Sequence, residues 1–165
     1  MAGILLVEPG NGGGSERRYS VPPGHAEVQT DVDSINFFAP MGRALVPPAR
    51  VADIGCGTGW SSIGIAKAYP LVTVDGFDLD SASIEDARHN AESSGVKARV
   101  KFEIRDAADP TLAGSYDLVT AFETIHDMSN PVGALRAMRG LAKDGGTILI
   151  ADGKAAEGSR LLEMR

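Results

Sequence analysis

From Arg50 onward, short runs rich in β-branched residues alternate with stretches of helical character, and no other feature restricts the fold of this chain so severely. Val51-Ala52-Asp53-Ile54 has the length and apolarity of a short buried strand. Gly55-Cys56-Gly57-Thr58-Gly59 follows, then a helix from about Thr58 to Ala68 that must stop before Pro70. Leu71 to Phe77 reads as a second strand, and Asp80 or Ser81 caps a helix that ends at Gly95. Arg99 to Ile104, Asp117 to Phe122 and Gly146 to Ala151 are strands three, four and five. Between the last two, Asn130 as N-cap, Pro131 at the first helical position, Lys143 in the last turn and Gly145 just past it frame another helix, with Leu135, Met138 and Ala142 as its core residues. This alternation implies right-handed βαβ crossovers: an α/β, doubly wound, mostly parallel sheet with helices on both faces, a three-layer sandwich.

A chain of 165 residues suits one such domain and not two of similar size. With 22 acidic against 16 basic residues, a net charge of −6, it has no surplus of cations for phosphates or an anionic membrane, so no nucleic acid and no membrane is expected and a small polar or neutral substrate is. Cys56 is the single cysteine, which leaves no internal disulfide and no Cys/His zinc set; no metal is expected, and the compartment reads as reducing and cytoplasmic. The apolar start Ile4-Leu5-Leu6-Val7 has no basic residue before it and ends at Glu8-Pro9, too short for a signal-peptide core, and no run is long enough to span a bilayer. Residues 1–30 hold two short strand-like pieces around Pro9-Gly10-Asn11-Gly12-Gly13-Gly14-Ser15, a hairpin or a flexible arm. Thr30-Asp31-Val32-Asp33 has the capping-box form, and a helix should start there. The main domain is expected over 31–152, with 153–165 as a tail.

In an open α/β sheet, ligands sit at the carboxyl ends of the strands where strand order reverses. The turn after strand one offers glycines for a sharp bend and a helix N-terminus with free N–H groups. Asp78, at the end of strand two, can accept hydrogen bonds from both hydroxyls of a ribose. Together they suggest a nucleoside-containing cofactor. A dinucleotide fingerprint would need glycine at position 60, where this chain has Trp60, and no phosphate-binding GxxxxGK[ST] stretch exists.

In these motifs the sequence resembles the class I S-adenosylmethionine-dependent methyltransferases. Val51 to Gly59 is similar to their first motif, Gly76-Phe77-Asp78-Leu79-Asp80 to the second, Arg105-Asp106-Ala107 to the adenine-binding turn, Tyr116-Asp117-Leu118-Val119 to the fourth strand and Lys143-Asp144-Gly145-Gly146-Thr147 to the turn before strand five, with Asp144 where the family often has proline. The resemblance implies strand order 3-2-1-4-5 and S-adenosyl-L-methionine as cofactor, with S-adenosyl-L-homocysteine as product. It places Gly55, Gly57 and Gly59 around the methionine part, with Cys56 inside the same turn and Asp53 near the ammonium group, directly or through water. Asp78 would take the ribose hydroxyls, Leu79 would pack on the adenine, and Asp106 and the Ala107 N–H would bond its edge.

His126, after strand four, is the candidate general base because its pKa suits proton removal near neutrality; the alternative is a histidine that orders its loop. Glu123 lines either the cofactor or the substrate pocket. Trp60 either flanks the methionine chain or packs under the sheet, Cys56 reads as a small buried filler, Asp80 as a helix cap, and His89 as solvent-facing. Family members continue after strand five with a helix and an antiparallel strand pair, so strands six and seven are expected to be missing here and strand five to be an exposed edge. That edge, or the N-terminal arm, would allow a homodimer. The region from Gly3 to Val28 also resembles, weakly, the wing hairpin and linker of a winged-helix domain, and the chain reads as shortened at both ends. The expected function is methyl transfer from S-adenosylmethionine to a small molecule. Its rivals are a catalytically incomplete cofactor-binding module, a nicotinamide dehydrogenase and, more remotely, a winged-helix regulator.

Overall fold

A computed structural model describes the backbone of residues 2–7, 16–20 and 48–153, and side chains from 48 to 152. The helix expected at Thr30, His25 and the tail beyond 153 lie outside the described residues. Seven strands, β1 (Ala2–Val7), β2 (Glu16–Ser20), β3 (Ala49–Ile54), β4 (Val72–Asp78), β5 (Val100–Ile104), β6 (Tyr116–Phe122) and β7 (Ala142–Gly153), form one sheet. Among the described residues, three helices, α1 (Trp60–Ala68), α2 (Ser81–Ser93) and α3 (Pro131–Leu141), link β3 to β4, β4 to β5 and β6 to β7. Spatial order is β2-β1-β7-β6-β3-β4-β5. The five strands from β3 to β7 pair in parallel, which is the expected 3-2-1-4-5 arrangement.

Strand alternation builds the layers. Val51, Val74, Leu118 and Leu149 face one side with Ile63, Ile65 and Ile84 of α1 and α2. Ala52, Val119, Ile148 and Ile150 face the other, with Met138 and Leu141 of α3. Burial on both faces explains why these strands read as continuous apolar runs. The helix starts follow from local chemistry: Asp80 caps α2 by accepting from Ser83 Oγ at 2.7 Å and the Ser83 N–H at 2.9 Å, which together lower its pKa, and Asn130 caps α3 by accepting the Gly133 N–H at 3.0 Å. Asp80 is therefore a cap, as its sequence context implied.

Two expectations are corrected. α3 ends at Leu141, and Ala142, Lys143 and Gly145 belong to β7. Ala142 is already paired with Tyr116, Lys143 forms an ion pair with Asp117, and the register then jumps so that Thr147 lies opposite Leu118. Sheet pairing thus outweighs the helical pattern of this stretch. Leu135, expected in the core, is 41% exposed, whereas Met138 is fully buried.

The expected open edge of strand five is also corrected, because β1 fills it. β1 runs antiparallel to β7, with Ala2 opposite Gly153 and Val7 opposite Ile148, and β2 pairs antiparallel with β1 outside it. Unpaired backbone groups along an edge strand attract any extended segment, and this chain's own beginning takes that place. An antiparallel strand pair beside β7 is thus supplied by residues that precede β3 in the chain. Among the described residues, no helix is long and apolar enough to cross a membrane.

Candidate functional site

The carboxyl ends of β3, β4, β5 and β6 meet at one rim, where strand order reverses between β3 and β6. The turn after β3 is bound tightly to β4, since the Gly55 and Cys56 N–H groups both donate to Phe77 O, at 2.8 and 3.2 Å. From α2, Asn90 Nδ2 donates to Thr58 O at 3.0 Å. The glycines play different parts. Gly59, at φ +83°, has Phe102 and Ala87 where a Cβ would lie, so it lets α1 seat on its neighbours. A Cβ on Gly55 would collide with Thr124. Gly57, at φ +51°, has open space there and lines the rim.

Asp53 lies beneath this turn, 1% exposed. Its Oδ2 accepts from Ser61 Oγ at 2.6 Å and Ser62 Oγ at 2.7 Å, and its Oδ1 accepts from Thr120 Oγ1 at 2.7 Å. Burial raises its pKa, against the pull of the three hydroxyl donors. The carboxylate therefore ties β3, α1 and β6 together under the glycines. Cys56 is buried, and desolvation, with the charges of Asp53 and Asp78, pushes its thiol far up, so it stays protonated as a filler.

Asp78 closes the other side of the turn. Its Oδ2 accepts the Gly57 N–H at 2.8 Å and its Oδ1 the Asp80 N–H at 2.9 Å. Asp78 is paired in register with Ile104, and Arg105 N–H donates to Asp78 O at 2.9 Å, which brings the Arg105-Asp106-Ala107 turn beside it. Asp106 accepts the Ala108 N–H at 2.8 Å, folding that turn on itself. Leu79 is 68% exposed and Ile104 and Trp60 are each 48% exposed. Leu79 follows Asp78 in the chain and Ile104 lies opposite it in register, so both offer apolar surface beside that carboxylate, an acceptor and apolar set that fits a nucleoside. Trp60 stands half exposed at the start of α1 and does not pack under the sheet. His89 is exposed on α2, as its sequence context implied.

Beyond β6, Glu123 adopts φ 49°, the one non-glycine residue with positive φ among the described residues, and its N–H donates to Ala151 O at 2.7 Å. His126 follows in a single 3-10 turn, Ile125–Asp127. Its backbone N–H donates to Asp152 Oδ2 at 3.2 Å, and its Nδ1 forms a short contact with Asp152 Oδ1. The bond to Asp152 raises the His126 pKa, reinforced by the charges of Asp152, Asp127 and Glu123. Donor atoms of Glu123, His126 and Asp152 all lie within 4.8 Å of one another. The imidazole and the Asp152 carboxylate are already engaged with each other there.

Sequence reasoning missed Ile104, Thr120, Ser61, Ser62 and Asp152. The serines sit in the helix after the glycine turn and could have been suspected from their nearness to it. Thr120 and Asp152 reach the site only through sheet register.

A parallel sheet ordered 3-2-1-4-5, with a glycine turn after its central strand and an acidic residue closing the next, defines a Rossmann-like α/β domain. Within that class the chain belongs to the methyltransferase-domain family, whose model matches residues 46–163. It is 34% identical over 111 residues to a ubiquinone biosynthesis O-methyltransferase of Marinobacter nauticus, covering 66% of this chain and 46% of that protein. It is 30% identical over 104 residues to an ajmaline N-methyltransferase of Rauvolfia serpentina, covering 62% and 35%. The matched stretch thus spans about half the length of these curated relatives, or less. Among solved structures, the YcgJ protein of Bacillus subtilis is similar at TM-score 0.59 and 29% identity, over 65% of this chain and 45% of that one. The [4+2]-cyclase SpnF is similar at TM-score 0.63 and 25% identity, over 70% and 44%.

Proposed function

We propose that this domain binds S-adenosylmethionine across the carboxyl ends of β3, β4 and β5 and transfers its methyl group to a small-molecule acceptor in the cytoplasm. One observation supports this above the rest: Asp78 presents its carboxylate next to Gly57, whose open side leaves room for a ligand, with the exposed Leu79 next in the chain and the exposed Ile104 opposite in register. In this reading Asp78 takes the ribose hydroxyls, Leu79 and Ile104 sandwich the adenine, and Asp106 and the Ala107 N–H bond its edge. Gly55, Cys56, Gly57 and Gly59 shape the bend around the methionine part. Asp53, fully engaged by hydroxyls, serves by holding that bend in place. The sulfonium supplies a methyl group on an excellent leaving atom, so the protein's task is alignment, exclusion of water and proton removal. His126 takes the proton, and Glu123 lines the acceptor side of the pocket. No nucleic acid or membrane partner is part of this reading, and a second copy would pair through β2 or β5, since β7 is covered.

Calorimetric titration of this chain with S-adenosylmethionine and S-adenosylhomocysteine, with NADH as control, tests the reading. Saturable binding of both sulfur nucleosides, weakened at least about tenfold by Asp78→Ala, is the expected result, a loss of ~1.4 kcal/mol or more. Preference for NADH would overturn it. Because the curated relatives are about twice as long as the matched stretch, a binding module without complete catalysis is the second reading. Tight binding with no turnover on a panel of phenols and amines would favour it.

A further inference from the structure

We propose that Asp152 is a positioning residue for His126: it fixes the imidazole with its proton on Nδ1 and leaves Nε2 as the proton acceptor of the transfer reaction. This rests on the reading of His126 as the base. The two residues are 26 positions apart and meet because β6 and β7 are parallel neighbours. Phe122 pairs with Ala151, and the next residues on each strand, Glu123 and Asp152, stand at the rim together.

One carboxylate holds His126 at two points. Oδ2 accepts the backbone N–H at 3.2 Å and Oδ1 faces Nδ1, so both the turn and the ring plane are set. A carboxylate can only accept, which requires a proton on Nδ1 and puts the free lone pair of the neutral ring on Nε2. Nε2 lies 3.4 Å from Asp127 Oδ2, on a side chain that is largely exposed and can move aside. Among the described residues, the charged groups facing the ring are Asp152 from β7, Asp127 from its own turn and Glu123 from the end of β6. All three are acidic and favour the imidazolium that proton capture creates. β1 braces the pair from outside, since Gly3 lies opposite Asp152 in the sheet and holds the end of β7 in place.

In the step itself, the acceptor's oxygen or nitrogen forms its bond to the methyl carbon while the carbon–sulfur pair departs on sulfur. The acceptor's proton passes to Nε2 and leaves His126 doubly protonated, with Nδ1–H still donated to Asp152. Such an arrangement resembles in its logic the carboxylate that orients a catalytic imidazole in hydrolytic triads.

The test is NMR titration of the full chain labelled at its three histidines, with and without S-adenosylhomocysteine, for the wild type, Asp152→Asn and Asp152→Glu. In the wild type, the neutral His126 ring should carry its proton on Nδ1. In Asp152→Asn, its pKa should fall and the proton should shift to Nε2; Asp152→Glu should restore part of both effects. Methyl transfer to any responsive phenol or amine should fall at least about tenfold in kcat for Asp152→Asn, with KM and S-adenosylhomocysteine affinity little changed. An unaltered tautomer and pKa in Asp152→Asn would overturn the proposal. So would Zn²⁺ or Mg²⁺ displacing the Nδ1 proton at stoichiometric concentration, which would make this a cation site. If the tautomer is locked while S-adenosylhomocysteine does not bind, the pairing stands and the methyltransferase reading fails.

Discussion

The carboxylate of Asp78 accepts the Gly57 N–H at 2.8 Å and so joins the end of β4 to the turn after β3. This bond holds the turn in a left-handed bend at Gly57, with the Cα side facing open space. Gly57→Ala should cost about 1–2 kcal/mol of stability through the positive φ alone. Its methyl would also enter the space next to Asp78, so S-adenosylhomocysteine binding should drop by more than stability does. Urea unfolding and calorimetry on the same variant separate the two effects.

Asp53 and Thr120 predict a pH dependence. The pKa of Asp53 is raised in the folded state, so the stability tied to this group is full in acid and is lost as pH rises through the folded value. Thr120→Val deletes one of the three hydroxyls that favour the charged carboxylate and pushes the pKa further up. The variant should lose about 1–3 kcal/mol near neutral and alkaline pH. In acid, where Asp53 is neutral in both proteins, the loss should be smaller. Urea denaturation over a pH series measures it, and a loss that is the same at every pH would contradict the role assigned to the carboxylate.

Glu123 sits at φ 49°, a conformation that costs a residue with a Cβ roughly 1 kcal/mol or more. Glu123→Gly should therefore raise stability slightly, by up to ~1 kcal/mol, while lowering turnover. Thermal unfolding alongside acceptor kinetics reads both. A loss of stability would show that the side chain holds the loop by contacts that outweigh the strain.

The two faces of α3 make unequal demands. Met138→Ala empties a fully buried position and should cost about 2–5 kcal/mol, whereas Leu135→Ala, on a side chain 41% exposed, should cost less than about 1 kcal/mol. Comparable losses would place the helix in a different rotation on the sheet.

β1 lies between β2 and β7, so Leu5 is in an interior strand, opposite Ile150 on one side and Arg18 on the other. Leu5→Pro removes a backbone N–H from this ladder and should free the β7 edge. Light scattering after size-exclusion chromatography should show increased self-association, and amide exchange along 148–153 should accelerate. Unchanged exchange in β7 would mean that its edge does not depend on β1.

Much of the fold is legible in the residues themselves because the signals are local. Asp80 and Asn130 cap helices by bonding an N–H three residues on, Gly55-Cys56-Gly57-Thr58-Gly59 bends where glycine is required, and strands buried on both faces must be apolar throughout. The end of α3 was not legible. Lys143 and Gly145 have a helix-terminating pattern, and only the pairing of Ala142 with Tyr116 shows that the strand has already begun.

Sequence alone thus determined the α/β alternation, the helix caps and the bend of the glycine turn, since each depends on neighbours a few positions away, while the strand order was implied by the family resemblance of its motifs. Tertiary structure alone decided that β1 closes the β7 edge, that Thr120 and two serines fasten Asp53, and that Asp152 meets His126. Those contacts join residues far apart in the chain, and what brings them together is the register of strands, a property of the assembled sheet that no short stretch encodes.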